Sequence, residues 1–156
     1  MSIAKHGGRY VVRGGAVEPV EGAWMPEHIV IVEFPTMDKA REWYRSPDYA
    51  EALCVLGMAD AALGNKEDAI REGRRAAELV PVSKNAIEGA LLIRYLAIIY
   101  AWTGEKDLAF EQLTVAAKLP GFLSYGELRL HPYWDPLRGD PHFEEIVASL
   151  APKQAR

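Results

Sequence analysis

The apolar positions change period once along the chain, from two to a little under four. Residues Arg9–Arg13 read Arg, Tyr, Val, Val, Arg, and residues 28–34 read His-Ile-Val-Ile-Val-Glu-Phe. Both runs are short and rich in β-branched and aromatic side chains, which predicts two strands. Gly14-Gly15 breaks the first, and Val17–Val20 continues it past a bulge. Glu21-Gly22 and Pro26 mark the turn before the second. Alternation sorts the side chains into two faces. Tyr10 and Val12 join Val30, Val32 and Phe34 on an apolar face; Arg9, Val11 and Arg13 join Ile29, Ile31 and Glu33 on the other. A two-stranded ribbon alone is marginal in water, so the apolar face is expected to lie against a helix.

Helical patterning takes over at Thr36, which caps a helix over Met37–Tyr44 with Ala40, Trp43 and Tyr44 on one side. Ser46 caps the next, with Pro47 at its first position, and no breaker interrupts it before Leu63. Gly64-Asn65 ends that helix and caps Lys66 to Leu79. Ser83 caps a long helix through Trp102, which Gly104 closes, and Lys106 to Lys118 follows, stopped at Pro120-Gly121. Ser124–Leu130 is a short helix. His131-Pro132 and Trp134-Asp135-Pro136 form an irregular aromatic connection, and Asp140 caps a last helix, Pro141 to Leu150. The fold class is therefore α+β, mostly α. A hairpin and helix over residues 1–52 continue, through one unbroken helix near Ala52-Leu53-Cys54, into a capped helical array over residues 53–150. Residues 151–156 are a tail. The shared helix should hold the two parts rigidly together.

From Leu53 to Pro120 one helical hairpin is written twice. Gly57 and Ala97, Gly64 and Gly104, Ala69 and Ala109, and Ala76 and Ala116 each stand forty residues apart. Pro81 and Pro120 close the two copies. A fixed period of this length marks a repeat array, and small residues at Gly57, Ala69 and Ala76 let two antiparallel helices approach. With Leu56 in the first copy, and Leu96 and Tyr100 in the second, the pattern resembles the tetratricopeptide repeat. It departs from that family at Asp60, where an aromatic is expected, at Gly73, where a bulky residue is expected, and over residues 82–90, which stretch the period. Residues 130–143, Leu-His-Pro-Tyr-Trp-Asp-Pro-Leu-Arg-Gly-Asp-Pro-His-Phe, resemble the closing segment of repeat domains found behind bacterial cyclases and kinases. The resemblance implies an inner surface of Cys54, Met58, Ala61 and Ala62, joined by Arg94, Ile98 and Trp102. An open surface implies a peptide groove contacted by Met58, Arg94, Ile98 and Trp102. Two repeats are fewer than the three usually needed. The alternative is that the Phe122–Leu137 segment or the hairpin fills the groove, with Tyr133 and Trp134 as core.

The first part resembles a different family. The residues are Gly7-Gly8-Arg9-Tyr10-Val11-Val12-Arg13-Gly14-Gly15, Glu21-Gly22, Trp24, Pro26, Ile31-Val32-Glu33-Phe34-Pro35 and Tyr44-Arg45-Ser46-Pro47-Asp48-Tyr49. They are similar, to about Leu53, to an uncharacterised domain with a ferredoxin-like, dimeric α+β barrel fold. That fold implies a strand and helix before Gly7 and another strand after Leu53. Only six residues precede Gly7 and helix follows Leu53, so half a barrel is expected, a natural or engineered fusion to the repeat. Hairpin edges without neighbours invite pairing with a second copy. The resemblance turns Arg9, Arg13 and Glu33 into the barrel, which implies a pocket for a small anion or acid. The other reading is a cross-strand ion pair on a solvated or dimer-facing sheet.

Composition narrows the functions further. In 156 residues, 49% hydrophobic and 26% charged describe an ordinary globular chain. The longest apolar runs, such as Tyr95 to Trp102, are too short to span a membrane, and Met1 to Arg9 lacks the apolar stretch of a secretory signal. The single cysteine, Cys54, fits a reducing, cytoplasmic setting and reads as a buried, inert thiol. A net charge of −4 argues against nucleic acid, so Arg13-Gly14-Gly15 reads as a strand end and turn. His6, His28, His131 and His142 lack metal-ligand spacing. No nucleophile triad, phosphate loop or carboxylate pair presents itself, and neither metal nor cofactor is expected. The expectation is a non-enzymatic interaction or scaffold module that binds a protein, a peptide or itself, as a homodimer joined through the hairpin. One alternative is a small-ligand-binding or enzymatic dimeric barrel whose cavity is lined by Arg13 and Glu33 of two chains. Another is a chimera with no evolved function.

Overall fold

Strand β1 (Arg9–Arg13) and strand β2 (Val30–Glu33) pair antiparallel in a two-stranded sheet. The computed structural model describes residues 2–22, 26, 29–119 and 123–152. His28, Trp24, Pro120, Gly121 and Phe122 lie outside them. The second strand is shorter than its β-branched run, and Val17–Val20 forms no strand. The pairing also breaks the alternation read from the sequence. Arg9 faces Glu33 and Tyr10 faces Val32, but Val12 faces Ile31 and Arg13 faces Val30. Val11 is the extra residue, and one inserted residue moves everything after it to the opposite face. Val12 therefore parts company with Val32, and Arg13 with Glu33.

A short helix α1 (Ser2–Lys5), not foreseen in the sequence, precedes the sheet. A Cβ on Gly8 would lie 2.6 Å from a Phe34 ring carbon and 2.7 Å from a methyl of Ile3, so glycine is needed for α1 to close on the strand. Helix α2 (Met37–Tyr44) starts at Thr36, whose hydroxyl accepts from the Lys39 N–H at 3.3 Å. It sets Trp43 against Phe34, ring centroids 5.4 Å apart. The Ser46 hydroxyl then donates to the Trp43 carbonyl at 2.7 Å.

The chain divides into two compact units, Met1–Asp48 and Tyr49–Arg156. The boundary falls within helix α3 (Pro47–Leu63). Helices α4 (Lys66–Leu79), α5 (Ala86–Trp102) and α6 (Lys106–Ala117) follow, making the two helical hairpins of the repeat. Helix α5 is apolar around most of its circumference beyond its first turn, which suits a helix surrounded by others. Leu92, Leu96, Ala97, Ile98 and Ile99 are all buried. Gly57, Ala69 and Ala76 point inward as their size requires. A Cβ on Gly57 would lie 2.9 Å from the Ala69 carbonyl oxygen. Gly73, the apparent departure from the repeat pattern, has a reason: a Cβ there would meet methyls of Ile99 and Leu96 at 2.8 and 2.9 Å. The bulk has moved from α4 onto α5.

Both hairpins turn in the same way. Gly64 and Gly104 take φ of +85° and +81°, and the next N–H donates back to the Asp60 and Tyr100 carbonyls at 2.8 and 2.9 Å. Two expected caps differ. Asn65 leads α4, but its side-chain amide donates to Asp60 at 2.9 Å instead of capping. Helix α5 is capped by Asn85, not Ser83. Asn85 accepts from the N–H groups of Ile87 and Glu88, and its side-chain amide donates to the carboxylate of Glu88, three residues on.

Helix α7 (Tyr125–Leu130), capped by Ser124, leads into the aromatic stretch. That stretch is regular after all, a 3-10 helix over Pro132–Leu137 that buries Trp134 and Leu137. Helix α8 (Pro141–Ser149), capped by Asp140, lays Phe143, Ile146 and Val147 into the core shared with Phe110 and Leu113. The fold is α+β and mostly α: an antiparallel hairpin followed by a helical array.

Candidate functional site

Three places were marked out in the sequence or emerge from the structure. The first is the sheet. The Arg9 guanidinium bridges to Glu33, with Nε and Nη2 at 2.6 and 2.5 Å from Oε2. Their side chains are 75% and 53% exposed, the setting in which such pairs contribute little. Arg13 does not join them. Beyond the Val11 bulge its guanidinium lies over the Tyr10 ring, 5.0 Å from the centroid. The expected triad of Arg9, Arg13 and Glu33 on one face is thus a pair and a separate stacked cation.

The sheet's other feature is apolar. Val30, Val32 and Phe34 face Met37, Ala40 and Tyr44 across a shallow cleft of about 580 Å³. Helix α2 covers the strand only in part. Val30, Met37 and Tyr44 stay exposed, and α2 has no buried residue.

The second place is the inner surface of the array. Ile98 is fully buried in the main core, and Met58 and Trp102 pack half-buried against it. The Trp102 indole N–H donates to the Tyr133 carbonyl at 3.0 Å, and the two rings meet edge-on at 5.6 Å. Arg94 is held by Glu127 of α7 at 2.6 Å, with both side chains about one-fifth exposed. The chain's own α7 and 3-10 segment therefore engages Arg94 and Trp102, and the core takes up Ile98, three of the four residues expected to receive a peptide. Tyr133 and Trp134 belong to that filling, and Trp134 is fully buried.

The third place was missed. Asp60 and Glu72, twelve residues apart, act on one another where α3 meets α4: Gly57, one turn before Asp60, lets the Glu72 Cβ come to 3.5 Å from where a Cβ on that glycine would be. Burial, then the charge of Asp60 and a hydrogen bond with it, push the Glu72 carboxyl up to about 7. No periodic signal marks the pair; only the glycine at Gly57 hints at a close helix crossing beside it. Cys54 is fully buried, and burial with the nearby Glu51 charge raises its thiol to about 12, so it is unreactive at neutral pH.

Among the described residues no group of three His, Cys, Asp or Glu side chains could hold a metal ion, and no helix is long and apolar enough to cross a membrane. Residues 1–61 match the model of a family described as a domain of unknown function, DUF1330. No curated protein and no solved structure matches the chain.

Proposed function

We propose that this chain is a non-enzymatic interaction module that self-associates through its N-terminal hairpin. One observation carries the reading. Among the described residues of Met1–Asp48, Ile3 is the one buried apolar side chain, while the cleft of Val30, Val32, Phe34 and Met37 stands open. A two-stranded sheet with one short helix over it is too thin to hold itself together, and its outer edges offer unpaired backbone groups. A second copy supplies both an apolar cover and a strand partner. On this reading the first unit is half of a ferredoxin-like domain, completed between chains. The helical unit is a pair of tetratricopeptide-like repeats with a C-terminal cap. That α7 and the 3-10 segment already hold Arg94 and Trp102 favours the hairpin over the inner surface as the place where a partner binds.

The competing reading, a ligand-binding dimeric barrel, needs Arg13 and Glu33 on one wall. The Val11 bulge, which sets Arg13 over Tyr10, weighs against it.

Sedimentation of the wild-type chain and of Val32→Glu tests the proposal. The wild type is expected to be a dimer and the variant a monomer with unchanged helical content. A wild type that stays monomeric at its highest soluble concentration overturns the proposal, as does a variant that still dimerises.

A further inference from the structure

Asp60 and Glu72 occupy a junction with little room. Gly57, three residues before Asp60, lets α4 come close, and the Glu72 Cβ lies 3.5 Å from where a Cβ on Gly57 would be. Asp60 is tied down from the turn. Its carboxylate accepts from the Asn65 side chain at 2.9 Å and its carbonyl from the Asn65 N–H at 2.8 Å. Glu72 depends on that same carboxylate: with both groups ionised, its buried Oε2 has no hydrogen-bond partner.

The surrounding charges do not repair this. On α4, Arg71 draws the Glu72 carboxyl down, but its guanidinium is paired with Asp68, whose own charge pushes Glu72 the other way. Helix α5 brings Leu96 and Ile99 to this crossing, both apolar, and its charged residues Glu88 and Arg94 lie earlier in the helix. Two ionised carboxylates carry acceptors only, whereas one proton between them supplies the missing donor and removes a like-charge contact.

We propose that Glu72 keeps a proton that it donates to the Asp60 carboxylate, clasping α3 to α4, and that its loss loosens this first helical hairpin. The clasp acts in a defined pH window. An ordinary glutamate titrates near 4.5, while folding raises Glu72 to about 7. Between these values the folded chain holds a proton that the unfolded chain has lost. Stability therefore falls as pH rises through that window and levels off above it.

The test is thermal unfolding of the full chain, wild type beside Glu72→Gln, from about pH 5 to about pH 9. The glutamine amide donates to Asp60 at every pH. The wild-type midpoint is expected to drop by several degrees relative to the variant between the two ends. Parallel profiles overturn the proposal. Should Glu72→Gln fail to fold, carboxyl NMR titration of the wild type decides. A Glu72 midpoint near neutrality upholds the clasp, and one near the ordinary glutamate value removes it.

Discussion

Met1–Asp48 and Tyr49–Arg156 both carry aromatic and branched apolar side chains, but they dispose of them differently. In the helical unit each element covers the next. Helix α5 is enclosed, and Trp134, Phe143, Leu113 and Leu128 reach it or its neighbours with almost no exposure. In the hairpin unit Phe34 and Trp43 stack at 5.4 Å, yet Val30, Ile31, Met37 and Tyr44 remain in contact with water. The difference is geometric rather than compositional. A row of helices closes around its own middle member, while a two-stranded sheet has one face for its helix and nothing for its edges. Where burial is finished inside the chain, packing is what the residues are for. Where it is unfinished, the leftover surface is the better place to look for a partner.

The largest test of that contrast is a matched pair of aromatic truncations. Trp134→Ala is expected to destabilise the helical unit by about 3–5 kcal/mol, whereas Phe34→Ala, at a half-buried position, should cost about 1 kcal/mol. Denaturant unfolding of each variant measures this, and equal losses would erase the distinction. A smaller effect sharpens it. Gly57→Ala pushes a methyl onto the Ala69 carbonyl oxygen. Overpacking of about 1–3 kcal/mol, offset by about 1 kcal/mol of better helix propensity, leaves a net loss of up to about 2 kcal/mol in the same assay. The smallest belongs to the sheet surface. Glu33→Gln should move stability by no more than about 0.5 kcal/mol, because its pairing with Arg9 is exposed. A larger drop would mean that this face is covered in solution.

Much of the helical unit was legible because its signals are local. Gly64 and Gly104 announce their turns by the backbone they require, and the small residues at Gly57, Ala69 and Ala76 announce a close crossing. Asn85 was legible too, with Glu88 three residues on, yet Ser83 was the earlier and more familiar cap. What escaped depends on residues far apart. Arg94 meets Glu127 across 33 positions, and nothing in either neighbourhood requires it. Asp60 and Glu72 lie on different helices with no shared period. The bulge escaped for the opposite reason: Tyr10, Val11 and Val12 all favour a strand, so no residue in the run says which one is extra.

That extra valine acts as a frameshift written in space. The chain keeps its letters in order, but beyond Val11 each one addresses the other side of the ribbon. A relative with the same residues paired without the bulge would turn Arg13 toward Glu33 and present an acid-binding wall where this protein presents a lone cation resting on a tyrosine. Likeness of composition along such a strand is therefore a poor guide to shared chemistry unless the insertion is matched as well.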